Sequence, residues 1–154
     1  MGDRSSIGTA LKVRLESITN ANGYATDIQK VHYDDISMGL VLEPQELPAI
    51  LLISGVDEIS REGGCLRNIW NFEIQCWDVV EKTDSNMDTF CADVLKAIYA
   101  NSAVGSRLAA FRDLHPSVYD VNPLQIDPDL NMIEQNRCYT VQVEVFYSST
   151  LLKL

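Results

Sequence analysis

The sequence predicts an α+β domain: a mostly antiparallel sheet with two amphipathic helices packed on one face, in the order α-β-β-β-α-β-β. Three observations carry this. Trp70, Phe72, Ile74 and Cys76 alternate with Asn71, Glu73 and Gln75, the period of two that marks a half-buried strand. Tyr139, Val141, Val143, Val145 and Tyr147 alternate in the same way with Thr140, Gln142 and Glu144. Between these runs Met87, Phe90, Cys91, Val94, Leu95 and Ile98 recur at helical spacing and form one apolar stripe. Strands and helices that are each apolar on one side are stable when stacked as layers around a shared core.

Taken in order, the first element is a helix over residues 6–19. Ile7, Leu11, Leu15 and Ile18 share a face, while Lys12, Arg14 and Glu16 point elsewhere. Ser5 or Ser6 supplies a cap, and Asn20-Ala21-Asn22-Gly23 a stop. A weakly alternating strand is expected over 24–33, with Tyr24, Thr26 and Ile28 on one side. Residues 36–46 read as a loop holding Gly39 and Pro44. After Pro48, the run Ala49-Ile50-Leu51-Leu52-Ile53 reads as a strand covered on both faces. Residues 56–61 extend it past Gly55, a candidate bulge.

Glu62-Gly63-Gly64 is a turn signal, so this strand and the next form a long hairpin. The second helix begins with Ser85-x-x-Asp88, similar to a capping box, with Asp84 and Asp88 at its positive end. Asp88, Asp93 and Lys96 lie off its stripe, and Asn101 or Gly105 ends it. Residues 108–114 read as a short helix stopped before Pro116. Val118-Tyr119-Asp120-Val121 and Leu124-Gln125-Ile126 read as short strands interrupted by Pro123. The last strand is followed by an apolar tail, Leu151-Leu152-Lys153-Leu154. The outer face of the sheet carries Asn71, Glu73, Gln75, Thr140, Gln142 and Glu144, polar enough for water or a partner.

The 154 residues favour one domain, 1–154, with 46% apolar and 22% charged residues, an ordinary globular composition. Twelve Lys and Arg stand against 22 Asp and Glu, a formal net charge of −10, and no two basic residues are adjacent. Nucleic-acid binding and docking on anionic lipid both need clustered cations, so neither is expected. No window reaches the length of a membrane span, and no apolar signal core opens the chain. Met1-Gly2-Asp3-Arg4-Ser5-Ser6 fits a bare myristoylation pattern. It lacks a basic patch and has an acid after the glycine, so no lipid anchor is expected.

Candidate chemistry fails at named positions. Cys65, Cys76, Cys91 and Cys138 lack any zinc-like spacing and read as reduced thiols, Cys76 and Cys91 as small core hydrophobes. His32 with Asp34 and Asp35 offers too few ligands on one side of a strand, and His115 sits before Pro116 in a loop. Asp127-x-Asp129-x-Asn131 and Asp84-x-Asn86-x-Asp88 imitate calcium loops. They have Met132 and Cys138, and Thr89 and Leu95, where Gly and Glu are required. The first reads as a Pro-containing turn and the second as a helix cap. No phosphate loop, nucleophile elbow or zinc-protease motif occurs. No enzyme, metal or cofactor is expected, and the chain should act through its surfaces.

The hairpin from Pro48-Ala49-Ile50-Leu51-Leu52-Ile53 through Asn68-Ile69-Trp70-Asn71-Phe72-Glu73-Ile74-Gln75-Cys76-Trp77, then Asp78 to Thr83, then the helix from Asn86 to Ile98, resembles the bacteriophage tail terminator (tail completion) proteins. The resemblance spans nearly the whole chain as an order of elements. It implies a hexameric ring that caps the last ring of tail-tube protein, stops tube growth and faces the head-side connector protein. DNA would pass through without sequence-specific binding, and acidic side chains lining the passage would repel it. The protein would sit in the virion near the neck and be assembled in the host cytoplasm. Glu62, Gly63 and Gly64 of the turn, and Leu151, Leu152 and Leu154 of the tail, are the candidate protein-interface residues. Another neck or minor tail protein shares this plan. A cellular oligomeric module binding a small ligand on its polar sheet face is the reading of a different class.

Overall fold

The structure, a computed structural model, describes residues 3–33, 42–79, 81–99, 114–128 and 136–150. Helix α1 spans Asp3–Glu16, beginning earlier than the sequence suggests, so Ser5 and Ser6 lie inside it rather than capping it. Ile7, Leu11, Leu15 and Ile18 are fully buried along one stripe. A short 3-10 turn, Asn20–Asn22, ends at Gly23 with φ of 88°, the left-handed conformation that glycine adopts without steric cost. Tyr24 and Ile28 are buried in the core, but residues 24–29 are not a strand. Strand β1 is only Lys30–His32.

Strand β2 (Ala49–Glu62) pairs parallel with β1 and antiparallel with β3 (Cys65–Val79). Its register with β3 shifts between Ser54 and Asp57, which places a bulge at Gly55 as the sequence indicates. Helix α2 covers Asp84–Tyr99. Its cap is a reciprocal pair two residues before the expected one. The Thr83 N–H donates to Asn86 Oδ1 (3.0 Å), and the Asn86 N–H to Thr83 Oγ1 (3.2 Å). Ser85 and Asp88 take no part in it.

Strand β4 (Val118–Pro128) is a single strand rather than two, with irregularities at Val118/Asp120 and Pro123/Gln125. Pro123 is tolerated because β4 lies at the edge of the sheet, where a missing N–H costs no ladder bond. Strand β5 (Asn136–Thr150) completes a five-stranded sheet of order β1-β2-β3-β5-β4, antiparallel except at β1. The helices cover one face of it. Of the expected helix over 108–114 only Leu114 is described, helical and buried; the rest of it, the loop at 36–41, the helix stop at Asn101 or Gly105 and the tail from Leu151 lie outside the described residues. Among the described residues no helix is long and apolar enough to cross a membrane.

Between sheet and helices, Ile50, Leu52, Phe72, Ile74, Val141, Val143 and Val145 meet α1 and the stripe Met87, Phe90, Cys91, Val94 and Ile98. Two charged residues enter this interior. Arg14 is buried and its Nη1 donates to the Ile98 carbonyl (3.0 Å), satisfying the C-terminal turn of α2. Asp93 is buried and accepts the Thr26 N–H (2.8 Å), which fastens the 24–29 segment to α2.

Gly8 interrupts α1, where alanine would ordinarily be favoured by roughly 1 kcal/mol. A Cβ at this position would lie 2.0 Å from the Tyr33 hydroxyl oxygen and 2.5 Å from its Cζ. The helix uses glycine here so that the tyrosine can lie against its backbone. Gly8→Ala is therefore expected to lower stability by about 1–3 kcal/mol, the usual cost of overpacking. A rise in thermal midpoint would show that the Tyr33 ring moves aside freely.

Candidate assembly surfaces

The first surface is an arm. Beyond Leu51, the outer edge of β2 carries no partner strand among the described residues, because β1 pairs only with Ala49, Ile50 and Leu51. Val56 and Ile59 on this stretch are 67% and 56% exposed. The hairpin turn holds Glu62, Gly63 and Gly64, all exposed. Gly63 takes φ of 63°, which explains the glycine there. Strand β5 runs beside β3 to the end, so that Thr150 pairs with Cys65. The chain thus leaves the described region toward Leu151 directly beside the turn. The last described residue of β5 therefore lies beside the turn, while Leu151, Leu152 and Leu154 are outside the described residues.

The base of the arm is held by a buried polar cluster that no sequence motif signals. Asp57 follows the bulge, and its side chain is only 7% exposed. Its carboxylate receives the Tyr147 hydroxyl (2.5 Å) and Asn68 Nδ2 (3.1 Å), and pairs with Arg4 Nε (3.1 Å). Asn68 Oδ1 in turn accepts from Ser149 Oγ (3.3 Å). The Arg4 guanidinium lies 4.5 Å from the Trp70 ring centroid, a cation–π contact. The first turn of α1 is thereby tied to the root of the arm.

The second surface is the sheet face away from the helices. Register places Asn71 opposite Glu144, Glu73 opposite Gln142 and Gln75 opposite Thr140, which joins all six expected polar residues in one patch. Each is half-buried. Trp77 Nε1 donates to Gln75 Oε1 (3.0 Å), Gln75 Nε2 to Glu73 Oε2 (3.3 Å), and Gln142 Nε2 to Asp127 Oδ2 (2.9 Å). The patch is acidic through Glu73, Glu144 and Asp127; Gln75 and Gln142 donate to two of these carboxylates, while Asn71 Oδ1 is buried without a hydrogen-bond partner among the described residues.

The residues tested for chemistry are dispersed. His32 is buried at the end of β1 with Nε2 3.5 Å from Glu46 Oε1, while Asp34 and Asp35 lie outside the described residues. His115 Nδ1 contacts Ser117 Oγ at 2.7 Å. Asp127 lies in β4 rather than in a turn, and receives Gln125 and Gln142; Asp129 and Asn131 are outside the described residues. Asp84 pairs with Arg137 and accepts the Tyr139 hydroxyl (2.9 Å). The Arg137 hydrogen bond holds the Asp84 carboxyl below its ordinary value. Among the described residues no three His, Cys, Asp or Glu side chains gather as metal ligands. None of the four cysteines forms a disulfide, and burial pushes the Cys76 thiol up.

A third feature lies at the end of the sheet away from the arm. A cleft of about 360 Å³ is bounded by Ala25, Thr26, Asp27 and Gln29, by Pro48, and by Asp78, Lys82, Asn86, Thr89 and Phe90. Asp78 is 8% exposed, and one of its oxygens accepts the neighbouring Val79 N–H (2.8 Å). Burial raises its carboxyl above the ordinary 3.8. A raised folded-state value means that the charged form costs stability at neutral pH, a cost that disappears as pH falls below the unfolded value. Asp78→Asn is therefore expected to raise the urea midpoint at pH 7. The gain should close as pH is lowered to 3.8 and beyond. A lower midpoint at pH 7 would show that the charge stabilises the fold.

No protein-family model matches this sequence, and no curated protein matches it. The fold is shared with a solved chain from the virion of a native gene transfer agent (GTA) particle. The match covers 96% of each chain, with a TM-score of 0.52 and 12% identity.

Proposed function

We propose that this chain is a structural component of a phage-type tail, a terminator that ends tube polymerisation and forms the tail side of the head–tail joint as a hexameric ring. The observation that carries this reading is the fold shared over 96% of both chains with a component of a gene transfer agent virion, a particle built from many subunits. The arm supports it. A strand edge with no partner among the described residues and with exposed Val56 and Ile59 is a ready site for adding another chain's strand. The turn at Glu62, Gly63 and Gly64 and the neighbouring start of the Leu151, Leu152 and Leu154 tail are its docking tip. The partners are further copies of the chain, the tail-tube protein and the head-side connector protein. The acidic net charge of −10 keeps passing DNA from adhering, and the protein works through surfaces rather than catalysis.

Negative-stain images of the purified protein, alone and mixed with tail tubes, test this. Rings of six with an open centre, or density capping one end of each tube and a narrowed distribution of tube lengths, are the expected results. A monomer by light scattering that neither caps tubes nor limits their length would overturn the proposal.

A further inference from the structure

We infer that neighbouring copies of this chain join edge to edge, the open margin of β2 in one copy pairing antiparallel with β4 of the next. The joint presupposes the ring of the terminator reading and identifies the strands that close it. Among the described residues the sheet has two long margins without a partner strand, β2 beyond Leu51 and the outer side of β4. Six large apolar side chains are exposed among the described residues. Five of them, Val56, Ile59, Tyr119, Leu124 and Ile126, stand on these two strands, and only Val13 does not. Residues 122–128 are all exposed, whichever face they point to. Open backbone donors and acceptors beside exposed apolar side chains are what strand addition requires.

Strand direction favours the joining of unlike margins. β2 and β5 run one way across the sheet, and β3 and β4 the other. A copy rotated about an axis along the strands keeps the same face inward. Its β2 then lies antiparallel to the preceding β4, and the alternation continues across the joint. Repeating such a head-to-tail contact by rotation closes a ring. The rows of the sheet agree. Ile59, Asn68, Tyr147 and Val118 share a row, with Tyr119 next in β4. Ser54, Phe72, Val143 and Pro123 share another, with Leu124 next. Copies meeting row against row therefore set Ile59 beside Tyr119 and Val56 beside Leu124. The strand tilt of a closed sheet slides the joint along the strands, within the length of both margins.

Like margins fit one another less well. Pro123 and Pro128 remove two N–H donors from β4, a loss that a β4–β4 joint would double. A β2–β2 joint would bring Glu58 of both copies into one strand pair, where like charges repel. Across unlike margins each defect enters once, and the apolar side chains of one strand cover those of the other.

Sedimentation of the full chain and two variants tests the joint. Val56→Asp with Ile59→Asp blocks the β2 margin, and Tyr119→Asp with Leu124→Asp blocks the β4 margin. Circular dichroism checks both folds, and Leu124→Asp alone replaces the second variant if the double change melts early. The unaltered chain is expected to form oligomers as its concentration rises, and each variant alone to stay monomeric. Mixed in equal amounts, the variants should form one-to-one pairs and nothing larger, because one intact β2 margin meets one intact β4 margin and none is left. Pairs formed by either variant alone would show that like margins join, and would overturn the assignment. So would full-sized oligomers of either variant, a mixture that stays monomeric, or an unaltered chain that stays monomeric at every concentration. Capping of tail tubes by a chain that fails this test would leave the terminator reading standing, and pairing without capping would leave the joint standing.

Discussion

Asp57→Ala is expected to lower stability by about 2–4 kcal/mol, a large loss for one residue in a hairpin with an exposed edge. The size follows from what remains behind. Without the carboxylate, the Tyr147 hydroxyl and Asn68 Nδ2 lose their acceptor in a place largely closed to water. Each unsatisfied buried donor costs about 1–3 kcal/mol. The charge of Arg4 adds less, because its side chain is 52% exposed and can be hydrated once released. Arg4→Ala should accordingly cost under about 1 kcal/mol, as exposed ion pairs generally do. Guanidinium unfolding of the two variants distinguishes the roles. Equal and small losses would mean that water replaces the carboxylate, and that the cluster does not fix the arm.

That cluster also shows where reading the sequence stops. β3, β5 and α2 are legible because their signals are local: each apolar residue is two, three or four positions from the next. The bulge at Gly55 and the turn at Gly63 are legible because glycine marks unusual backbone. Asp57 and Tyr147 are 90 residues apart, Arg14 and Ile98 are 84, and Thr26 and Asp93 are 67. Nothing in periodicity connects such positions, so Arg14 and Asp93 look like solvent-facing charges and Asn68 goes unremarked.

The segment before Lys30 misleads for a different reason. Tyr24 and Ile28 are buried from irregular chain packed on the core, and spaced apolar residues imitate a strand. The parallel pairing of β1 with β2 has no turn signal, since 16 residues separate His32 from Ala49. For α2, Thr83 and Ser85 are both chemically fit to cap, and only the position of the first turn decides between them. The turn at Glu62, Gly63 and Gly64 was visible as a possible contact. Its adjacency to the end of β5 was not, because alternation says which face a strand buries and not which strand it pairs with.

The double change Val56→Asp and Ile59→Asp is expected to abolish capping of tail tubes while leaving the fold intact. Both side chains are more than half exposed, so little apolar burial is lost. Substitutions at such positions usually stay within about 0.5 kcal/mol. An incoming strand would experience them differently. Asp57 and Glu62 are already paired with Arg4 and Arg67, so two further carboxylates beside Glu58 would add negative charge to the edge, and charge on an exposed edge is how sheets resist pairing. A strand docking there must desolvate those carboxylates without a cation to receive them.

The expected pair of results is an unchanged circular-dichroism melt and a loss of rings or capped tubes. Replacing Gly63 by valine, which forces a β-branched residue to φ of 63°, alters the tip without adding charge. If the tip itself makes the contact, Gly63→Val should impair capping as well. If capping survives the double change while Gly63→Val impairs it, docking occurs through the tip and the open edge of β2 is not the interface. Survival of capping in both would place the working surface elsewhere, with the acidic outer face of the sheet around Glu73 and Glu144 the next to be tested.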